Sequence, residues 1–344
     1  MKTTSMKTNR LKTTRRALAL GASALVFGIG RARAAAEFSY KIGTSTPAAH
    51  PFNTRLREVG ARIAKASNGR MELHVFPDSQ LGGDNDLLSQ ARSGAIEFCQ
   101  PTGQILSSIL PVAAINAMGF VFSDYSQVWP TMDGPLGVLV RQQIAAKTGL
   151  VPMEKMWDLG FRQTTTSNHP VKVAADLEGL KLRTPIAPSL IALFKALKAA
   201  PVGMQYGEVY SALQTHIVDG QENPLSQVEA GKFYEVQKYC SMTNHVWDGY
   251  WLCCNKDAWD ALPPDLQKIT QQSFNDVAPL QRDDIAKLNA STKGLLVSKG
   301  MVFNDCNPDS FRKVLREAKF YAEWKAKLGD EAWGLLEKAV GKVS

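Results

Sequence analysis

The chain has 344 residues, 44% of them hydrophobic and 21% charged, enough for two domains with cores of ordinary size. Its formal net charge is +8, but eight of the 40 Lys and Arg fall in the first 36 residues, where there is no Asp or Glu; the remainder carries 32 of each sign. A formally neutral body has no global field to draw in a polyanion, so nucleic acid is not an expected partner.

The basic start has a secretory layout. A positive region (Lys2, Lys7, Arg10, Lys12, Arg15, Arg16) precedes an apolar stretch over 17–30, too short to span a bilayer. Ala32-Arg33-Ala34 and Ala34-Ala35-Ala36 are both small-x-small cleavage candidates. The pair Arg15-Arg16 after Thr14, with Leu18 two residues on, reads as a twin-arginine export signal; the alternative is a Sec signal with two adjacent arginines. Arg31 and Arg33 beside the cleavage region favour the twin-arginine route. A cleaved signal over 1–36 and a periplasmic address are therefore expected. No later run is long and charge-free enough for a transmembrane helix.

From there strand and helix patterns alternate. Residues 38–44 read as a strand, 51–67 as a helix, 71–77 as a strand, 84–93 as a helix and 95–100 as a strand. A helical region over 127–149 is interrupted by Pro130 and by Gly134-Pro135, and 151–163 is mostly extended. A helical turn at 176–180 leads into a short strand at 181–184 and a helix at 188–197. Residues 264–298 form one very long helical pattern, and 309–338 are largely helical. There is no internal repeat and no low-complexity linker. This alternation indicates an α/β architecture with sheets covered by helices, in two lobes. The five cysteines (Cys99, Cys240, Cys253, Cys254, Cys306) leave at least one free thiol. Cys253 and Cys254 are adjacent, so on a strand they point to opposite faces. Neither the cysteines nor the five histidines have zinc-ligand spacing.

The segment 206–224, YGEVYSALQTHIVDGQENP, is the most informative. Its first half reads as a helix with Val209, Leu213 and Ile217 on one apolar stripe, stopped at Asp219-Gly220. Gln221, Glu222 and Asn223 then precede Pro224, three polar side chains at a junction that is expected to present them to a ligand. Arg183 ends a short strand directly before Thr184-Pro185, and Pro185 biases Thr184 to an extended conformation. A guanidinium on such rigid backbone suits a bidentate carboxylate clamp; the plain alternative is a strand-end salt bridge.

The wording of 206–224 resembles the substrate-binding proteins of TRAP transporters, the DctP-type family, whose members carry the same EVY-x-ALQT-x-x-VDGQENP segment. The resemblance extends through Gly160-Phe161-Arg162-Gln163-Thr164, Gly179-Leu180-Lys181-Leu182-Arg183-Thr184-Pro185 and Gly231-Lys232-Phe233-Tyr234-Glu235-Val236-Gln237-Lys238. It implies a two-lobed clam-shell with hinge strands and a long helix running along both lobes, which 264–298 suits. The lobes implied are 37–159 with about 248–287, and 160–247 with about 288–344. It also implies a monomeric periplasmic receptor with no cofactor and no catalysis, handing a small carboxylate to the small and large TRAP membrane subunits for uptake driven by an ion gradient.

Matched residue by residue, the resemblance makes Arg183 the carboxylate-binding arginine, Arg162 a second ligand-facing arginine beside a hinge at Gly160, and Asn223 a donor to the same carboxylate. Glu222 reads as structural, orienting an arginine. Asp84, in Gln80-Leu81-Gly82-Gly83-Asp84-Asn85, accepts from ligand hydroxyls or serves a helix N-terminus. Tyr206 is the expected aromatic lid. Trp247 walls the cleft or packs in the core. His50 faces the ligand, and Gln100 and Thr102 at the end of a strand are further candidates. Family members that bind sialic acid carry Glu at the position of Thr102, Asn at Ser45 and a basic residue at Asn85. Those departures leave the carboxylate clamp intact and speak for a smaller ligand, a sugar acid or a hydroxy or keto acid ahead of a C4-dicarboxylate. The rival readings are a receptor serving an ABC transporter or a sensor kinase, and a periplasmic enzyme. No H-E-x-x-H, G-x-S-x-G or P-loop pattern supports the last.

Overall fold

The computed structural model describes residues 35–343, so the expected export signal lies outside the described residues apart from Ala35 and Ala36. Among the described residues, eleven strands form two sheets. The first contains β1 (Phe38–Gly43), β2 (Met71–Phe76), β3 (Phe98–Cys99), β4 (Leu150–Pro152) and β10 (Cys253–Asn255), in the order β2-β1-β3-β10-β4. The second contains β5 (Trp157–Thr166), β6 (Lys181–Thr184), β7 (Ala200–Gly203), β8 (Gly220–Pro224), β9 (Tyr239–Tyr250) and β11 (Val302–Asp305), in the order β11-β9-β5-β8-β6-β7. Helices cover both sheets, giving the α/β architecture that the alternation of patterns requires.

Two long antiparallel strands join the halves. β5 and β9 pair from Trp157–Tyr250 at one end to Thr166–Tyr239 at the other. Trp157 and Tyr250 belong to the core built on the helix Pro51–Ala66, whereas Val246 and Trp247 belong to another. Beyond Tyr250 the chain bonds to the first sheet's side, through the bridge between Thr102 and Tyr250 and the bond from the Trp251 N–H to the Pro101 carbonyl. The ladder shifts register between Asp158 and Gly160, where Gly160 has φ +116°. A side chain there would be strained by the backbone itself, and its Cβ would stand 3.0 Å from Asn289 Nδ2. The bulge is thus built at a residue only glycine occupies at ease.

The long helix Pro264–Ser298 spans two cores, as its length demands. Leu266, Phe274, Val277 and Ala278 pack with Phe52, Leu56 and Val59, whereas Leu296, about five turns beyond Ala278, packs with Val209, Leu213 and Val228. The pattern over 309–338 resolves into three helices, Pro308–Glu317, Phe320–Leu328 and Asp330–Val340. The helical region over 127–149 breaks at Asp133-Gly134; Pro130 lies inside the helix Tyr125–Met132. The strand expected over 95–100 shortens to two residues.

The segment 206–224 departs from its sequence reading in two ways. Its helix is only Val209–Gln214 after a 3₁₀ turn at Tyr206–Glu208, because His216 adopts φ +56°. Ile217 therefore leaves the apolar stripe and is 60% exposed. Gln221, Glu222 and Asn223 sit not in a junction loop but in β8, between β5 and β6, with all three buried. Central position in a sheet leaves polar side chains no water, so they must pair with one another. All five cysteines are free thiols; Cys253 and Cys254 enter different cores, as adjacent strand residues must.

Candidate ligand-binding site

β6 and β8 run parallel, with Arg183 in register with Gln221, and β8 runs antiparallel to β5, with Gln163 opposite Asn223. This arrangement sets Arg183, Asn223 and Arg162 side by side on three adjacent strands, at the carboxyl ends of β6 and β8, where open α/β sheets bind ligands. They line one cavity together with Asp84, Thr102, Tyr206, Gln104, Gln227 and Tyr250, with Ser45, Ile105, Leu159 and Pro185 completing the wall. The walls stand close together and leave a cavity of about 30 Å³, far below the roughly 300–1,000 Å³ of an open small-molecule site, so a ligand enters only as they part.

The two arginines differ in how they are held. Arg162 is buried and ion-paired. Its Nε donates to Glu222 Oε2 at 2.5 Å and its Nη2 to Glu222 Oε1 at 2.8 Å and to Asn223 Oδ1 at 3.2 Å. Asp248 lies 3.8 Å from its Nη1. Glu222 also takes a bond from His245 Nε2 at 3.0 Å, and His245 Nδ1 is 2.8 Å from the Thr243 hydroxyl. Against the opposing effect of burial, the Arg162 guanidinium and the hydrogen bond from His245 hold the Glu222 carboxyl below its ordinary range, while burial pushes the His245 imidazole down, towards neutrality. Glu222 thus orients Arg162. The Asn223 amide is engaged at both ends, since its Nδ2 donates to Gln221 Oε1 at 2.6 Å.

Arg183 is different. Its Nε and Nη2 both donate to the Met204 carbonyl, at 3.0 and 2.6 Å, and its Nη1 is buried with no partner. No carboxylate lies within ion-pair distance of it among the described residues. Burial, with the like charge of Arg162 adding to it, pushes its guanidinium down to about 10. A desolvated cation with one free donor pointing into a cavity is a ready anion site.

Of the other residues singled out from sequence, three line the same cavity. Asp84 opens the helix Asp84–Ser93 and accepts from the Ser45 hydroxyl at 2.7 Å; burial raises its carboxyl despite the two arginines. Tyr206 donates to the Gln227 carbonyl at 2.8 Å, and Thr102 caps the helix Gly103–Leu106. Three are placed elsewhere. His50 caps the helix Pro51–Ala66, its Nδ1 accepting from the Phe52 N–H at 3.2 Å, and burial lowers its pKa to about 4. Gln100 is buried beyond β3 and is not among the lining residues. Trp247 lies in the core: its indole donates to Asp158 at 3.0 Å and packs edge-on against Trp129 and Phe122. The reason is strand alternation, since Tyr250 faces the cavity and an odd step along β9 turns Trp247 the other way.

Sequence reasoning passed over Gln104, Gln227 and Tyr250. Tyr250 was accessible from the period of two along β9. Gln104 and Gln227 lie in one-turn and two-turn helices with no local mark, and only the packing of those turns, the first against β9 and the second against β8, brings them to the cavity.

Asp158, beside the bulge, has its carboxyl pushed up to about 7 by burial. Between about pH 4 and pH 7 the folded state then keeps a proton that the unfolded chain has released, so this group makes stability fall as pH rises through that window and is without effect on the slope above it. Asp158→Asn is expected to flatten this part of the profile, measured as urea unfolding free energy between pH 4.5 and 8; an unchanged slope would remove Asp158 as its source.

Residues 42–324 match the family model for bacterial extracellular solute-binding proteins, family 7, DctP. The chain is 35% identical over 240 residues to the 2,3-diketo-L-gulonate-binding periplasmic protein of Escherichia coli (strain K12), covering 70% of each chain. Among solved structures it is similar to a TRAP periplasmic solute-binding protein from Roseobacter denitrificans with L-galactonate bound, at 28% identity and TM-score 0.82 over 89% of this chain and 99% of that one. It is also similar to one from Polaromonas bound to D-erythronate, at 27% identity and TM-score 0.84 over 89% and 100%. The overall fold is shared with these solved structures, and the chain belongs to the DctP family of TRAP solute-binding proteins.

Proposed function

We propose that this chain is the periplasmic receptor of a TRAP transporter that captures a small organic acid by its carboxylate, with Arg183 as the anchoring cation. The observation that carries the reading is the buried Arg183 Nη1 without a partner in the cavity. Burial raises the Asp84 carboxyl towards its neutral form, and Glu222 already balances Arg162, which with Asn223 forms the adjoining wall, so the charge left over in the site is that of Arg183. One carboxylate neutralises it. Relatives solved with sugar acids, and the diketogulonate-binding relative, support a sugar acid or a hydroxy or keto acid ahead of a C4-dicarboxylate.

Capture proceeds by closure of two lobes, 37–159 with about 248–287 against 160–247 with about 288–344, hinged at the β5–β9 pair. Two contacts support this hinge: Asn85 Nδ2 donates to the Ile186 carbonyl at 3.3 Å across the mouth of the cavity, and a Cβ on Gly83 would fall 2.5 Å from the Gln205 amide. Closure buries the acid, and the closed form docks as a monomer on the small and large membrane subunits. No cofactor and no turnover enter this scheme. A thermal-shift screen of organic acids tests it: at a hundredfold excess over Kd a bound acid adds about 2.7 kcal/mol, so a binder is expected to raise Tm by several degrees and to be recovered unchanged. Turnover of the acid, or no shift with any acid, would overturn the reading.

A further inference from the structure

Two glutamines that line the cavity from different helices are out of place for a site that holds only a carboxylate. Gln104, on the helix Gly103–Leu106, is 1% exposed, and neither its Nε2 nor its Oε1 has a hydrogen-bond partner. Gln227, on the helix Leu225–Ala230, is 3% exposed, and its Nε2 is likewise unpaired. Both line the cavity with Arg183 and Asp84. Buried polar atoms are rarely left unpaired, so each points to a group that the ligand supplies.

The chemistry of these atoms restricts that group. A carboxylate oxygen only accepts, so it can satisfy the two Nε2 amides but not the Gln104 Oε1. A hydroxyl both donates and accepts. Asp84 adds a second acceptor, and it already takes a bond from Ser45. A second carboxylate at this end would face Asp84 and find no free cation, because Arg162 is engaged by Glu222. The demand on the distal part of the ligand is therefore for donors that also accept.

We propose that Gln104 and Gln227 are specificity residues that read hydroxyl groups beyond the carboxylate, making this site selective for polyhydroxy monocarboxylates over dicarboxylates. This rests on Arg183 holding the carboxylate. The glutamines supply discrimination, since a site built to hydrogen-bond a hydroxyl penalises an analogue that lacks it by leaving its own polar atoms unpaired.

Calorimetric titration with galactonate, D-erythronate, succinate and glycolate tests it. The unsubstituted protein is expected to bind one of the two aldonates at least about 100-fold more tightly than succinate. Gln104→Leu is expected to weaken that aldonate about ten- to a hundredfold and to change succinate and glycolate less than about threefold, because the carboxylate contact is untouched. Gln227→Leu makes the same comparison from the other wall and carries the test if Gln104→Leu does not fold. Equal losses for aldonate and succinate, or succinate bound as tightly as the tighter-binding aldonate, would overturn the specificity assignment. Those outcomes leave the receptor reading standing as long as Arg183→Ala weakens all four acids together; acids that bind unaffected by Arg183→Ala remove that reading instead.

Discussion

Arg183→Ala is expected to lower the affinity for the transported acid by at least about 30-fold, with little loss of stability. Losing one partner of a buried, hydrogen-bonded charge pair costs about 2–5 kcal/mol, and here the pair forms only when the ligand is bound. Without ligand the guanidinium is a burden on the fold: it is desolvated, it has no carboxylate beside it, and only the Met204 carbonyl compensates two of its nitrogens. Removing it relieves that burden, so the Tm of the unliganded variant is expected to equal or exceed that of the parent while calorimetry records the loss of binding. Arg183→Lys is expected to be nearly as weak, since an ammonium on a flexible stem cannot hold the Met204 carbonyl and the ligand at once in the planar geometry of the fork. Wild-type affinity in Arg183→Ala would take Arg183 out of the site.

Glu222→Ala is expected to do the opposite and act first on the fold. Glu222 is fully buried and accepts from Arg162 through both oxygens and from His245. Deleting it strands the Arg162 charge in the centre of a sheet, with only Asp248 at 3.8 Å to offset it. Breaking a buried pair by removing one partner costs about 3–5 kcal/mol, a large part of the roughly 5–15 kcal/mol that holds a domain folded. Urea unfolding should show this as a midpoint shift. Glu222→Gln, which keeps the shape and one acceptor, is expected to lose less. If Glu222→Ala unfolds at the parent midpoint, Arg162 is reaching water or another carboxylate, and the account of an ion-paired arginine fails.

These two variants separate what looked alike in the linear chain. Arg162 and Arg183 are both strand arginines, each followed within two residues by a threonine, and both were read as ligand-facing. Which one carries a free charge depends on Glu222, 60 positions from Arg162, and on the pairing of β5 with β8 that places Thr164 opposite Glu222 and Arg162 diagonal to it. No periodicity records that pairing. The motif around Asn223 signalled polar groups presented to a ligand, but not that its members would be buried in a strand and satisfy one another before meeting one.

What the sequence determined by itself is what short-range physics controls. The alternation of strand and helix patterns, the 35-residue helix Pro264–Ser298 and the strand end at Arg183-Thr184-Pro185 all follow from side-chain periodicity and from proline's restriction of the backbone. Family membership, too, was legible in the wording of 206–224. The tertiary structure decided the rest: that His50 caps a helix, that Trp247 turns into the core, that β8 is buried and that Gln104 and Gln227 reach the cavity. Those outcomes depend on which strands pair and which helices pack on them. Pairing across a sheet is set by hydrogen bonds between segments far apart in the chain, and such contacts leave no mark on the residues beside them.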